Sequence, residues 1–216
     1  MTQPLMSSNR LVAGKGFNDV IGGRYTAAYS SWKHMLERCY KLNSGAIVCK
    51  EWLTFSNFKQ WYEQMQFLIE LQGYNLKTLC IDKDVKCEDG LIYSPETCCF
   101  LPQSLNTFFA HCSDRKTKKT GLPQGISFHK QGNHKPYSYR QYAQDGTVKR
   151  HYFCTVDEAY SYRLGIRCQQ LSLLIDEHEA LLKAQAVYSN LVKLCHPESM
   201  ARLEAINRMV RESTII

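Results

Sequence analysis

Acidic and amide side chains in the stretch Leu79–Asn106 have the chemistry of a small metal site. Asp82, Lys83 and Asp84 end an apolar run that reads as a strand, and Asn106 falls on a predicted helix. Carboxylate and carbonyl oxygens are the ligands that hard cations such as Mg²⁺ take in proteins. Side chains alternate along a strand, so Asp82 and Asp84 share one face if the strand continues, with Lys83 on the other. The alternative interpretation is a set of surface ion pairs beside a turn.

The sequence around this triplet predicts a hairpin followed by a helix. Glu88–Gly90 is a turn signal, because glycine adopts positive φ at no steric cost. Leu91–Tyr93 is predicted as the returning strand, Cys98–Leu101 is a further apolar run, and Pro102 begins the helix. Apolar residues at helical spacing predict two earlier helices, over Tyr29–Lys41 and Thr54–Leu71.

The pattern DKD…YSPETC.F.P…N, with YSSWKHMLERCY (Tyr29–Tyr40) before it, resembles the HNH nucleases of bacteriophage type. The likeness covers about Tyr29–Phe109. It implies a ββα-type module that nicks or cuts DNA with a divalent metal, Mg²⁺ or Mn²⁺. Asp82 and Asn106 match the family's metal ligands, and Asp84 is a further candidate.

Two positions depart from that family. Lys83 stands where the family has the His that acts as the general base, and Thr97 stands near a supporting loop Asn. Lysine takes a proton well only when burial or a nearby cation lowers its pKa, so we expect Lys83 to stabilise phosphate charge. His111 is a weaker candidate base, because it lies about 140° around the helix from Asn106. Whether the chain is an enzyme stays open: the alternative is a nuclease-dead relative that acts as a DNA-binding or host-protein-directed inhibitor.

Positive charge is concentrated in one part of the chain. The formal net charge of the 216 residues is +7. Residues 113–150 contain nine cations and two acids, which accounts for all of it. Aromatic residues are interleaved with these cations. The block predicts binding to a polyanion, and nucleic acid is the first candidate. The less favoured interpretation is a solvated linker and surface.

Three short strands and a helix are predicted within the second part of this block and directly after it. GISFHK, YSYRQY and TVKRHYF alternate in polarity, and Thr155 with Glu158 forms a capping box at the helix start. Over about Gly121–Arg167 the pattern resembles the Apetala-type (ethylene-response-factor) DNA-binding domain. The resemblance implies a sheet that contacts double-stranded DNA. The corresponding exposed cations are Lys130, Lys135, Arg140, Lys149 and Arg150.

Two helical segments follow: a long helical pattern over Val156–Leu194 and a last amphipathic helix over Glu198–Arg211. Two seven-residue series in the first predict either a dimer seam or packing onto its own domain. A second copy of the chain or a host protein are therefore candidate partners of this tail. A purely protein-binding adaptor is a third functional interpretation, and it predicts no salt-dependent affinity for DNA.

Composition indicates a globular chain. No apolar leader or membrane-spanning run is evident, so we expect a cytoplasmic protein, in the host cell if a phage encodes it. The ten cysteines are then expected as free thiols. Without a CxxC pair they are predicted as small buried hydrophobes rather than as ligands of a structural zinc.

The sequence thus predicts an α+β fold: an HNH-like ββα-type module, a three-stranded antiparallel sheet with a helix, and a helical C-terminal tail. The expected divisions are an arm (1–23), the HNH-like module (24–112), a basic linker (113–120), the Apetala-like module (121–170) and the tail (171–216).

Overall fold

The structure is a computed structural model that describes residues 11–42, 44–87, 91–111, 120–130, 134–143 and 146–213, with side chains to residue 206. It forms two compact units, drawn from the described parts of these ranges. The first unit is Met1–Asn106 with His178–Asn190, and the second is Thr107–Glu177 with Leu191–Ile216. The residues expected as a separate tail are therefore shared between the units. The predicted basic linker lies outside the described residues except for Thr120.

Helices and strands are mixed along the chain, which confirms the α+β prediction. The helices are α1 (Ala27–Tyr40), α2 (Phe55–Glu70), α3 (Gln103–Ala110), α4 (Val156–Glu177), α5 (Glu179–Ala184), α6 (Tyr188–Leu194) and α7 (Pro197–Ser213). The strands are β1 (Ile47–Val48), β2 (Leu79–Asp82), β3 (Ile92–Tyr93), β4 (Cys99–Pro102), β5 (Ile126–Phe128), β6 (Tyr137–Tyr142) and β7 (Val148–Phe153). Among the described residues, no helix combines the length and the apolar character needed to cross a membrane.

Aromatic side chains fill the core of the first unit between α1 and α2. Trp32, Trp52 and Phe55 are almost completely buried. The indole Nε1 of Trp32 donates to the Trp52 carbonyl at 2.6 Å, which satisfies its one polar group. Trp61 stacks on Phe100 of β4 with ring centroids 5.3 Å apart, so the second helix is fastened to the β2–β4 sheet.

The described part of the predicted N-terminal arm is packed onto this core. Phe17 donates its backbone N–H to the Leu53 carbonyl at 2.7 Å and accepts one from Phe55 at 3.0 Å. A Cβ added to Gly16 would lie 2.3 Å from Leu36 Cδ1, so only glycine fits there without displacement. Residues 11–23 are thus a structural part of the first unit. Residues 1–10 lie outside the described chain.

The strand pairing of the first unit differs from the predicted hairpin. β2 pairs with β4 in antiparallel register, with Asp82 opposite Cys99, and α3 follows directly. β3 pairs instead with β1, in parallel. The prediction that Leu91–Tyr93 returns beside β2 is therefore wrong: β4 is buried along its whole length, and it is this apolar strand that covers β2. The predicted turn at Glu88–Gly90 lies outside the described residues.

The second unit contains the predicted three-stranded sheet, in the order β5-β6-β7, with α4 against it. The capping box is present, because Glu158 N–H donates to Thr155 Oγ1 at 3.1 Å and Thr155 N–H donates to Glu158 Oε2 at 3.4 Å. Glu204 of α7 is fully buried and bridges back to α4, where it accepts from Arg163 Nη1 at 2.8 Å and Tyr160 Oη at 3.1 Å. This pairing fixes the last helix to the sheet-bearing unit.

The long helical pattern over Val156–Leu194 is broken twice. α4 ends at Glu177 and α5 ends at Ala184, where Ala186 takes a left-handed φ of 57°. The two seven-residue series therefore do not lie on one continuous helix. Leu171 and Leu181, one from each series, are fully buried, which favours intramolecular packing over a dimer seam.

A glutamine after α5 completes the first unit. Gln185 is buried, and its amide accepts from the Phe100 N–H at 2.7 Å and donates to the Phe100 carbonyl at 2.8 Å. It pairs with the outer edge of β4 as a neighbouring strand would. Leu181 belongs to the same apolar core. The N-terminal module consequently depends on a segment that lies about 80 residues further along the chain.

We predict that Gln185→Leu lowers the free energy of unfolding by about 2–4 kcal/mol, because a buried donor and a buried acceptor lose their partner. Urea unfolding followed by tryptophan fluorescence measures this. Gln64→Leu, at an exposed position of α2, is the matched control and should change stability by less than about 0.5 kcal/mol. Equal effects of the two substitutions would contradict the role given to Gln185.

Candidate functional site

One face of the β5–β6–β7 sheet is covered by α4. Tyr139, His151 and Phe153 lie on this face, and each ring contacts Tyr162 of α4. Gln141 also lies on it, because its Oε1 accepts from Tyr162 Oη at 3.4 Å. The pleat therefore places the alternate residues of β6 and β7 on the opposite face.

The opposite face presents two arginines and two tyrosines to solvent. Arg140 and Arg150 are directly paired across β6 and β7, and Tyr142 and Tyr152 flank them diagonally. All four are exposed, with 64% of Tyr142 and 42% of Tyr152 accessible. Like charges directly opposite in a sheet are destabilising. No acidic side chain of the described residues pairs with either arginine, so an anion would relieve their repulsion.

The structure brings together only part of the predicted DNA-binding set. Arg140 and Arg150 share the open face, whereas Lys149 pairs with Gln141 and so lies on the α4 side, where it is exposed. Lys130 and Lys135 are exposed beside the turn between β5 and β6, whose residues 131–133 lie outside the described chain. The contribution of Tyr152 was not predicted, although the period-two alternation of β7 would have revealed it.

A histidine completes the open face beside the start of β6. His129 Nε2 lies 2.8 Å from Ser138 Oγ, and its ring lies beside that of Tyr152, 6.2 Å between centroids. Ser138 is buried by these neighbours. The hydrogen bond holds the edge of the face in a fixed arrangement without using either arginine.

The acidic triplet lies in the first unit at the end of β2. The strand ends at Asp82, and residues 83–86 form a bend, so the alternation expected to place Asp82 and Asp84 on one face does not continue. Asp82 Oδ1 accepts the backbone N–H groups of Asp84 at 2.9 Å and Val85 at 3.0 Å. No described residue donates a hydrogen bond to Oδ2. Asp82 thus stabilises the bend that follows β2 through Oδ1, and Oδ2 stays available to a ligand.

Asp82 is an acid in an unfavourable environment for its charge. It is 7% exposed. Burial raises its pKa to about 6, the nearby Asp84 carboxylate adds to the rise, and the two backbone hydrogen bonds oppose it. A divalent cation near Oδ2 would favour the ionised form.

Lys83 is engaged by neighbours of the same loop. Its ammonium pairs with Asp84 Oδ1 at 2.5 Å and lies 5.6 Å from the centre of the Tyr93 ring. Its side chain is only 15% exposed. The Tyr93 hydroxyl accepts from Arg38 Nη1 at 3.3 Å, and burial raises the Tyr93 pKa to about 12, so this hydroxyl keeps its proton. Arg38, which is exposed, joins the cluster through Tyr93.

Thr97 performs a structural task in the loop before β4. Its hydroxyl donates to the Ile92 carbonyl at 2.6 Å and accepts from Ser94 N–H at 3.0 Å. These bonds tie the loop before β4 to β3.

The remaining predicted site residues lie on or after α3. Asn106 is half-buried on α3, in the first unit with Asp82. His111 is exposed just after the helix and belongs to the second unit; its backbone N–H bonds to the Thr107 and Phe108 carbonyls.

The donor chemistry suits a hard cation better than a soft one. Asp82, Asp84 and Asn106 offer oxygen, as Mg²⁺ and Mn²⁺ require. Burial raises the pKa of the Cys98 thiol to about 12 and that of Cys99 well above its ordinary value, so both stay protonated beside Asp82. Within the described ranges, no cluster of three or more His, Cys, Asp or Glu side chains forms a ready-made metal cage.

Asp82 makes stability depend on pH. Its folded pKa exceeds the unfolded value, so its proton stabilises the fold, and this contribution is lost as pH rises from about 4 through about 6. We predict that the stability of Asp82→Asn relative to the wild type rises by about 2 kcal/mol between pH 4.5 and pH 7.5. Urea unfolding at the two pH values tests this.

Asp84→Asn serves as the graded control for this experiment. It removes the neighbouring charge but leaves Asp82 buried, so the pH dependence should weaken without disappearing. A difference between Asp82→Asn and wild type that is the same at both pH values would refute the assignment of the raised pKa to Asp82.

Comparisons of the chain with family models, with curated proteins and with solved structures find no match. The interpretation of both sites therefore rests on the residues themselves.

Proposed function

We propose that this protein binds double-stranded DNA through the open face of the β5–β6–β7 sheet. The observation that carries the proposal is the cross-strand pair Arg140–Arg150, exposed and without an acidic partner among the described residues. Two like charges held opposite each other destabilise the sheet until an anion lies between or above them. The phosphates of DNA supply such anions at regular spacing.

The neighbours of the arginine pair support the same conclusion. Tyr142 and Tyr152 give flat, polar-tipped surfaces at two corners of the face. A sheet of this kind fits a DNA groove, where arginine reads guanine through two hydrogen bonds or holds phosphate. Rigid support comes from α4, whose Tyr162 contacts the covered side of the sheet.

We predict that Arg150→Ala weakens binding to a duplex oligonucleotide about tenfold, and that the double variant with Arg140→Ala weakens it about a hundredfold. Fluorescence anisotropy across a salt series measures the affinity. The slope of log K against log salt should fall by about one for each arginine that no longer neutralises a phosphate. Lys149→Ala is the matched control: it removes the same charge from the adjacent residue but on the α4 side.

Two results would overturn the proposed interface. Equal losses of affinity from Lys149→Ala and Arg150→Ala would mean that only total charge matters. Tight duplex binding by the variant that lacks both arginines would place the interface elsewhere on the chain.

A second candidate function is metal-dependent DNA cleavage by the first unit. It is favoured by the free Oδ2 of Asp82 at the end of β2, in a β2–β4–α3 arrangement whose helix carries Asn106. Asp82 and Asn106 would hold Mg²⁺ or Mn²⁺, with Asp84 a further ligand. The metal would supply Lewis acidity and an activated water. Lys83 would neutralise charge rather than take a proton, because its ammonium is already paired with Asp84.

We predict that the full chain relaxes supercoiled plasmid only with Mg²⁺ or Mn²⁺. Asp82→Asn and Asn106→Ala should each abolish relaxation while binding duplex as the wild type does. His111→Ala tests the remaining candidate base. No relaxation with either metal, together with intact duplex binding, would refute cleavage and favour the nuclease-dead DNA-binding or inhibitory protein.

A further inference from the structure

The outer strand of the three-stranded sheet, β7, has one backbone edge that faces away from β6. Ala143 N–H donates to the Thr147 carbonyl at 2.9 Å across the turn before β7. Hydrogen-bonded and non-hydrogen-bonded pairs alternate along an antiparallel ladder, so Lys149 and His151 bond to β6. The backbone groups of the alternate residues point away from β6, and these residues are Val148, Arg150 and Tyr152.

This outward edge is unpaired and accessible. Among the described residues, none provides a partner for the backbone N–H or C=O of the three outward residues. All three are exposed, with 52% of Val148 and 42% of Tyr152 accessible. The other outer strand, β5, is shorter, and the Ile126 N–H at its start donates to the Pro123 carbonyl at 3.1 Å. The edge of β7 is therefore the longer of the two that the sheet offers to a partner.

The backbone groups of this edge indicate the class of partner. Along the edge, N–H groups that need acceptors alternate with carbonyl groups that need donors. The backbone of DNA presents phosphate oxygens, which accept hydrogen bonds and donate none, so it would leave the three carbonyls unpaired. An extended polypeptide supplies both kinds of group at the matching spacing, which is how a peptide adds a strand to an exposed sheet edge.

The side chains of β7 indicate the charge of that polypeptide. Lys149 and Arg150 lie on opposite faces of the strand and are exposed, and neither forms an ion pair with a described acid. The sequence from Gly146 to Phe153 contains no acidic residue. An incoming strand with two consecutive acids places one beside each cation, because its own side chains also alternate. A second copy of β7 would instead add two further cations to the same ladder.

We propose that the edge of β7 binds an extended acidic segment of a partner protein, which becomes the fourth strand of the sheet. The backbone of the segment would bond to Val148, Arg150 and Tyr152, and its acids would lie beside Lys149 and Arg150. This contact goes beyond the proposed DNA interface, because it uses the backbone edge of β7 rather than the open face of the sheet.

The test measures amide hydrogen exchange of the full chain by NMR, with and without a peptide that contains Thr-Val-Glu-Glu-Val-Thr. Saturating peptide should slow exchange at the Val148, Arg150 and Tyr152 N–H groups by about tenfold or more. The Lys149 and His151 N–H groups, which already bond to β6, are the internal controls. The same peptide with every backbone amide of this core N-methylated is the matched control, because it keeps both charges but lacks the donors. It should bind about tenfold more weakly or worse.

Two variants separate the added strand from the duplex interface. Lys149→Ala should weaken peptide binding about threefold to tenfold and leave duplex binding unchanged, because Lys149 lies beside the added strand but on the α4 side. Arg140→Ala should have the opposite effects, because Arg140 lies on β6, one strand further from the edge. Fluorescence anisotropy with labelled peptide and labelled duplex measures both affinities.

Four results would overturn the added strand. The first is no binding of the peptide, or equal binding of its methylated form. The second is binding without slower exchange at the three outward amides; neither of these two results bears on the duplex interface. The third is equal slowing of these amides by duplex DNA alone, which would assign the edge to nucleic acid. The fourth is a dimer by light scattering in which these amides are protected without peptide, which would assign the edge to a second copy.

Discussion

The alternation of side chains across the β5–β6–β7 sheet is the constraint on which the proposed function depends. Tyr139, His151 and Phe153 must face α4, because their contacts with Tyr162 form the covered side of the sheet. The alternate residues of both strands then lie on the opposite face, where Arg140 and Arg150 are exposed to solvent. Packing on one face thus fixes the positions of the charges on the other. A one-residue shift of register would bury both arginines and expose the aromatic rings.

Stability and function are connected in each unit through C-terminal segments. Glu204 accepts buried hydrogen bonds from α4, the helix that supports the sheet. Gln185 pairs with the edge of β4, the strand beside the acidic loop. Such buried polar partners are costly to leave unpaired, so each fixes one arrangement of the chain. The candidate sites are consequently held by residues that are distant in sequence and take no part in the proposed chemistry.

The sequence predicted local features well and long-range pairing poorly. The three strands, the capping box at Thr155 and the α+β class follow from alternation and short motifs, and the structure contains them. The partner of β3 could not be predicted, because two-residue strands carry no register signal. The role of Gln185 could not be predicted either, since no local pattern indicates its hydrogen bonds to Phe100. At the acidic loop, the sequence identified Asp82 but not that the strand ends there, which removes the expected alignment with Asp84.

Hydroxyl-radical footprinting of the full chain with and without duplex DNA tests whether the open face of the sheet is the DNA interface. Tyr142 and Tyr152 on the open face are 64% and 42% exposed, and Phe128, which pairs with Tyr137 on the α4 side, is 51% exposed. We expect saturating duplex to lower the oxidation rates of Tyr142 and Tyr152 several-fold and to leave that of Phe128 unchanged. Protection of Phe128 with unchanged rates at both tyrosines would contradict it.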